Sequence, residues 1–135
     1  MDEKVYINLI DEAFKAREKS YTPYSNFKVG ASILFENSKI FSGCNIENAS
    51  YGATNCAERT AIFKAVSEGY KIIKAICVIG SFEDFTYPCG ICRQVIIEFA
   101  ESENIPIIIA QGRDKYVVHK LKDIIPFGFS KNNLV

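Results

Sequence analysis

The chain has 135 residues, 48% hydrophobic and 24% charged, a length that suits one domain spanning 1–135 with a core that needs no covalent staples. Sixteen Lys and Arg balance sixteen Asp and Glu, and neither sign collects in a tail, so the charge carries no footprint for a nucleic-acid partner. Apolar runs such as Ile107 to Ala110 fall far short of the roughly 20 residues needed to span a membrane, and Met1-Asp2-Glu3-Lys4 lacks the apolar segment of a secretion signal, so a cytoplasmic protein without a membrane partner is expected.

From Asp2 to about Lys19, the residues Val5, Leu9, Ile10, Ala13 and Ala16 recur at helical spacing and predict an amphipathic helix. Tyr21-Thr22-Pro23-Tyr24-Ser25-Asn26 breaks it. Phe27, Val29, Ala31, Ile33 and Phe35 then alternate at period two, and Glu36-Asn37-Ser38 separates them from a second strand, Lys39 to Cys44, which predicts a hairpin. After a polar loop, Cys56 to Glu68 predicts a second helix ending at Gly69. Ile72 to Ile79 reads as a buried strand, Gly90 to Glu101 as a third helix, Ile105 to Ala110 as another buried strand, Lys115 to Val118 as a short strand and Leu121 to Ile125 as a brief helix. Strand, helix, strand alternation implies parallel pairing, and the whole order predicts a three-layer α/β/α sandwich around a mixed five-stranded sheet.

The five cysteines, Cys44, Cys56, Cys77, Cys89 and Cys92, are an odd number in a chain with no secretory signal, which argues for metal or thiol chemistry over a disulfide framework. Cys44 and Cys77 lie in apolar stretches and read as small buried hydrophobes. Cys56 and the Cys89-x-x-Cys92 pair sit at predicted helix starts, where the helix dipole and free amides favour thiolate. Three thiolates on one zinc would leave a fourth tetrahedral position for water, as in catalytic sites. They would also overcompensate the cation, so a positive partner is expected, and Arg59 is the candidate. Glu58, two residues past Cys56, suits a general acid and base that reaches the water without binding metal; first-turn helix stabilisation is its plainer role. The spacing alone leaves open a thiol redox pair, or a structural zinc site closed by Cys44 or Cys77.

The strings Cys44-Asn45-Ile46-Glu47-Asn48, Asn55-Cys56-Ala57-Glu58-Arg59-Thr60-Ala61 and Pro88-Cys89-Gly90-Ile91-Cys92-Arg93-Gln94 together resemble the small, homotetrameric, zinc-dependent cytidine deaminases, over nearly the whole chain. The resemblance implies the α/β fold of that family and one Zn2+ per chain on Cys56, Cys89 and Cys92. It also implies hydrolytic deamination of cytidine and deoxycytidine in pyrimidine salvage, with Glu58 moving protons between water, the base and the leaving ammonia. Arg59 corresponds to an arginine bonded to the ligating sulfurs, and Asn45 and Glu47 to the pair holding the ribose hydroxyls. Phe27 corresponds to an aromatic on the base, and the backbone at Ala57 and Cys89 to groups that place the pyrimidine. Tyr51 and Phe129 correspond to residues that reach a neighbouring subunit's site, which makes a homotetramer the expected assembly. Without the family, Asn45 and Glu47 read as solvated loop residues and Phe27 as core. Phe127, where the family commonly has a small residue, and the segment Glu83 to Tyr87 depart from the pattern, and His119 reads as a surface residue. The rivals are a deaminase of another free aminopyrimidine nucleoside, such as blasticidin S, and a nonenzymatic zinc-stabilised binding module.

Overall fold

The structure is a computed structural model and describes residues 1–134. Helix α1, Glu3–Arg17, starts where the Asp2 side chain accepts the Val5 amide at 3.1 Å, and it buries Leu9, Ile10, Ala13 and Ala16 on one stripe. Strands β1 (Gly30–Phe35) and β2 (Ile40–Cys44) form the expected antiparallel hairpin. Helix α2 (Ala57–Ser67), strand β3 (Ile73–Ile79), helix α3 (Gly90–Phe99) and strand β4 (Pro106–Gly112) follow, then β5 (Lys115–Lys120) and the single turn α4 (Leu121–Ile124).

The strand order is β2-β1-β3-β4-β5, a mixed five-stranded sheet. Only β3 and β4, joined through α3, run parallel; the other neighbours are antiparallel. Alternation along the two central strands divides the core. Ala75, Cys77, Ile79, Ile108 and Ala110 pack with Leu9, Ile10 and Ala13 of α1, whereas Ile76, Val78, Ile107 and Ile109 pack with Ala61 and Ile62 of α2 and Ile96 of α3. The result is the three-layer α/β/α arrangement. Among the described residues, no helix is long and apolar enough to cross a membrane.

Two glycines set how closely the layers approach. A Cβ on Gly30 would clash with the Ala13 carbonyl, and one on Gly43 would meet the Ala61 amide at 2.7 Å and the Ala57 carbonyl at 2.9 Å. The first half of α2 therefore lies backbone to backbone on β2.

The structure departs from the expected elements in three places. Phe27 to Val29 are not in the sheet, because the Asn45 side chain takes their backbone bonds: the Val29 amide donates to Oδ1 at 3.0 Å, and Nδ2 donates to the Phe27 carbonyl at 2.8 Å. Phe27 is consequently 44% exposed and not core. Strand β5 runs two residues beyond Val118, pairing His119 with Ile107. His119 is half-buried there rather than a free surface residue, with its Nε2 at 2.9 Å from the Tyr87 hydroxyl.

Candidate active site

Cys56 is the N-cap of α2 and Cys89 the N-cap of α3, both with extended backbone and neither using its side chain as a cap. Ser, Thr, Asp or Asn would usually fill such positions and bond inward to the helix amides. Here the sulfurs turn to each other, 3.7 Å apart. Cys92 occupies the third helical position of α3, the place that an N-cap side chain faces, so the Cys-x-x-Cys spacing brings two sulfurs to one point at a helix start. The same spacing on α2 pairs Cys56 with Arg59, whose Nη2 donates to Cys56 Sγ at 3.3 Å.

The sulfurs of Cys56, Cys89 and Cys92 lie within 4.8 Å of one another, the only such group of potential ligands among the described residues. Two thiolates held at about 2.3 Å from a tetrahedral zinc sit about 3.8 Å apart. The Cys56 to Cys89 separation fits that ion. Cys92 is buried, Cys56 half-buried and Cys89 exposed, so the cluster is open on one side. Cys77 is buried in the α1-side core, where burial raises its thiol pKa, and Cys44 lies half-buried at the end of β2. Neither belongs to the cluster, and no fourth cysteine closes it.

Charge within the cluster is uneven. Hydrogen bonding from Cys92 chiefly, with help from Arg59 and Cys89, pulls the Cys56 thiol down to about 5, against the opposing effect of burial. That pairing with Cys56, together with burial, pushes the Cys92 thiol up. One negative charge is thus favoured until a cation draws off the remaining protons. Arg59 stays firmly protonated: burial works against it, but the bonds to Cys56 and Cys92 prevail. Its Nε is buried without a hydrogen-bond partner among the described residues.

Glu58 is 3% exposed in the first turn of α2. Burial raises its carboxyl to about 7, with the Cys56 thiolate adding to the shift and its own backbone amide, Cys92 and Arg59 offsetting part of it. A carboxyl poised near neutrality and within range of the sulfurs can hold or release a proton there.

The loop before α2 carries the remaining candidates. Ile46 and Asn55 exchange backbone bonds at 2.9 Å each, which ties the strip Asn45 to Glu47 to the residue preceding Cys56. Glu47 Oε1 accepts the amides of Tyr24 at 3.0 Å and Ser25 at 3.1 Å, and Oε2 accepts the Ser25 hydroxyl. These bonds, led by that of Ser25, hold the carboxyl below its ordinary range. Asn45 and Glu47 are therefore half-buried and bonded, not merely solvated. A cleft of ≈ 370 Å³ is lined by Tyr24, Ser25, Glu47, Tyr51 and Thr54. Ala57 is fully buried at the start of α2. Phe129 stands apart on the tail, its carbonyl held by Gln94 Nε2 at 2.8 Å and its ring 59% exposed. A larger cavity of ≈ 570 Å³ runs beside Ile97, Leu121 and Phe127 and contains none of the three thiols.

Two supporting residues were not evident from the sequence. Ser25 reads there only as part of a helix-breaking turn. Arg93 lies inside a motif, yet nothing in the spacing shows that its Nε holds the Pro88 carbonyl at 2.7 Å while Nη1 holds the Ile124 carbonyl at 2.5 Å, bracing the segment that delivers Cys89.

Residues 3–108 match the family model described as cytidine and deoxycytidylate deaminase zinc-binding region. The chain is 47% identical over 126 residues to a protein of Sporosarcina psychrophila named cytidine deaminase, covering 93% of this chain and 92% of that one. It is 53% identical over 95 residues to a protein of the same name from Halalkalibacterium halodurans, covering 70% of this chain and 72% of that one. Its fold is similar to the crystal structure of cytidine deaminase from Burkholderia pseudomallei, with a TM-score of 0.83, 45% identity, and coverage of 90% of this chain and 97% of that one.

Proposed function

Because the chain belongs to the cytidine and deoxycytidylate deaminase family, we propose that its cluster of three thiols is the zinc site of an enzyme that deaminates cytidine and deoxycytidine. The reaction takes one water and yields uridine or deoxyuridine and ammonia. The observation that carries this reading is the buried Glu58 beside an open three-sulfur cluster. A closed structural site needs a fourth protein ligand and has no use for a carboxyl poised near neutrality.

Cys56, Cys89 and Cys92 would hold the zinc, one per chain. When bound there, zinc would supply Lewis acidity that makes a water nucleophilic near neutral pH. Glu58 would take a proton from the attacking water and pass it to N3 of the pyrimidine as C4 is attacked, then carry the proton of the new C4 hydroxyl to the departing amine, which leaves as ammonia. Arg59 bonds to the sulfurs and withdraws part of their negative charge, keeping the site electrophilic.

Glu47 and Asn45 read the sugar. Three of the roughly four lone-pair sites of Glu47 are already occupied, and Asn45 has one amide hydrogen beyond that given to Phe27, so each has little spare capacity. A single sugar hydroxyl satisfies both by donating to Glu47 and accepting from Asn45, which suits ribose and deoxyribose alike. Phe27 offers an exposed ring to the base, and the backbone at Ala57 and Cys89 orients the pyrimidine. Tyr51, 75% exposed, and Phe129, 59% exposed, support a homotetramer in which neighbouring copies cover these rings and complete the sites. The reading places the enzyme in the cytoplasm, in pyrimidine salvage.

The test is the loss of absorbance when zinc-quantified protein meets cytidine, deoxycytidine, cytidylate and blasticidin S. Turnover confined to the two nucleosides supports the assignment. Turnover of blasticidin S alone, or of none of them by zinc-loaded protein, removes it. Light scattering on the same preparation tests the tetramer.

A further inference from the structure

We propose that Ser25 is a positioning residue whose hydroxyl holds the Glu47 carboxylate in the orientation that receives a sugar hydroxyl; this rests on the sugar-reading role proposed for Glu47. The geometry is asymmetric. Glu47 Oε1 is held by two backbone amides, those of Tyr24 and Ser25, at 3.0 and 3.1 Å. Its Oε2 has one partner among the described residues, the Ser25 hydroxyl.

A serine hydroxyl has a single proton to give. Ser25 Oγ also accepts the Phe27 amide at 3.0 Å, so this oxygen is held from the backbone side while its proton goes to Glu47. The remaining acceptor capacity of the carboxylate lies mainly on Oε2, and both residues line the same ≈ 370 Å³ cleft. Asn26, in the left-handed region at φ 57, makes the turn that returns the Phe27 amide to Ser25. Without the hydroxyl, Oε1 stays anchored by two amides while Oε2 is free to swing about it. The charge remains and its direction is lost. Hydrogen bonds to charged groups are strong enough for such a loss to matter in binding.

The experiment compares steady-state cytidine deamination by Ser25→Thr and Ser25→Val, which have the same shape but a hydroxyl in one and a methyl in the other, with Ser25→Ala and Glu47→Ala alone and combined. Zinc content and melting temperature are followed in each. KM should rise about tenfold in Ser25→Val and Ser25→Ala with kcat within about twofold, and stay close to the parent in Ser25→Thr. On the Glu47→Ala background, Ser25→Ala should add nothing to KM. Equal KM values for the Thr and Val variants, or a Ser25→Ala effect that persists without Glu47, would overturn the positioning role while leaving the nucleoside reading intact. An unchanged KM in Glu47→Ala would overturn the sugar-reading role, and the Ser25 proposal with it.

Discussion

Cys56 and Cys89 are thirty-three residues apart in sequence and cap two different helices, yet their sulfurs lie 3.7 Å apart. The contact exists because α2 and α3 lie on the same face of the sheet and point their N-termini at one place, where two dipoles and the Arg59 guanidinium meet three thiols. Removing one sulfur should dismantle the centre. Cys89→Ala is expected to purify without stoichiometric zinc and without cytidine turnover, and strong chelators should lower the melting temperature of the parent but not of the variant. Metal analysis paired with thermal unfolding checks both.

Glu58 has a different signature, since it lies beside the sulfurs without being one of them. Glu58→Gln keeps the shape and the three thiols but cannot accept a proton. It should retain zinc at the parental level and lose about 10²–10⁴-fold or more in kcat. Single-turnover rates with matched zinc occupancy separate this loss from one of metal.

Arg59 acts on the sulfurs, so its removal should alter chemistry more than substrate affinity. Arg59→Gln is expected to keep the metal at high zinc, to bind it about 10–100-fold more weakly or work that much more slowly, and to leave KM for cytidine near the parental value. Unchanged kcat and metal affinity together would exclude charge withdrawal by this residue.

Gly43 supports the same site from the sheet. Because the Ala61 amide would lie 2.7 Å from a Cβ there, Gly43→Ala must lift the first half of α2, which follows Cys56 and carries Glu58. A cost of about 1–3 kcal/mol is expected, as for other overpacked positions. Activity should fall in protein that is still folded, measured by denaturant unfolding and kinetics on one preparation.

Glu36 gives the acid limb. It accepts the amides of Lys71 at 3.2 Å and Ile72 at 3.1 Å; burial opposes them, but these bonds prevail and hold its carboxyl below the ordinary 4.5. Glu47 is lowered as well, first by Ser25. A carboxyl depressed in the folded state adds stability above its unfolded pKa, and this is lost as pH falls through the folded value. Stability should therefore decline below about pH 4.5. In Glu36→Gln the decline should be shallower, so the gap to the parent narrows as pH falls below about 4.5 in urea titrations.

The elements were legible wherever periodicity was strong. Leu9, Ile10, Ala13 and Ala16 mark α1, and the runs Ile72 to Ile79 and Ile105 to Ala110 mark strands buried on both faces, because each pattern reports local burial. The extent of the first strand was not legible, since its leading residues give their backbone bonds to Asn45, sixteen positions away from Val29 and beyond any local rule.

The sequence by itself determined the residue types at the cluster and their local grouping: Cys89 with Cys92 and Cys56 with Arg59 are each one helical turn apart at a helix start, a relation set by backbone geometry alone. Only the tertiary structure decided that the two groups meet. That meeting depends on the crossover between β3 and β4 and on the close seat of α2 against Gly43, contacts between segments far apart in the chain. Burial decided the rest. An exposed Glu58 would be an ordinary carboxylate, and its carboxyl is raised to about 7 only because the fold excludes water around it.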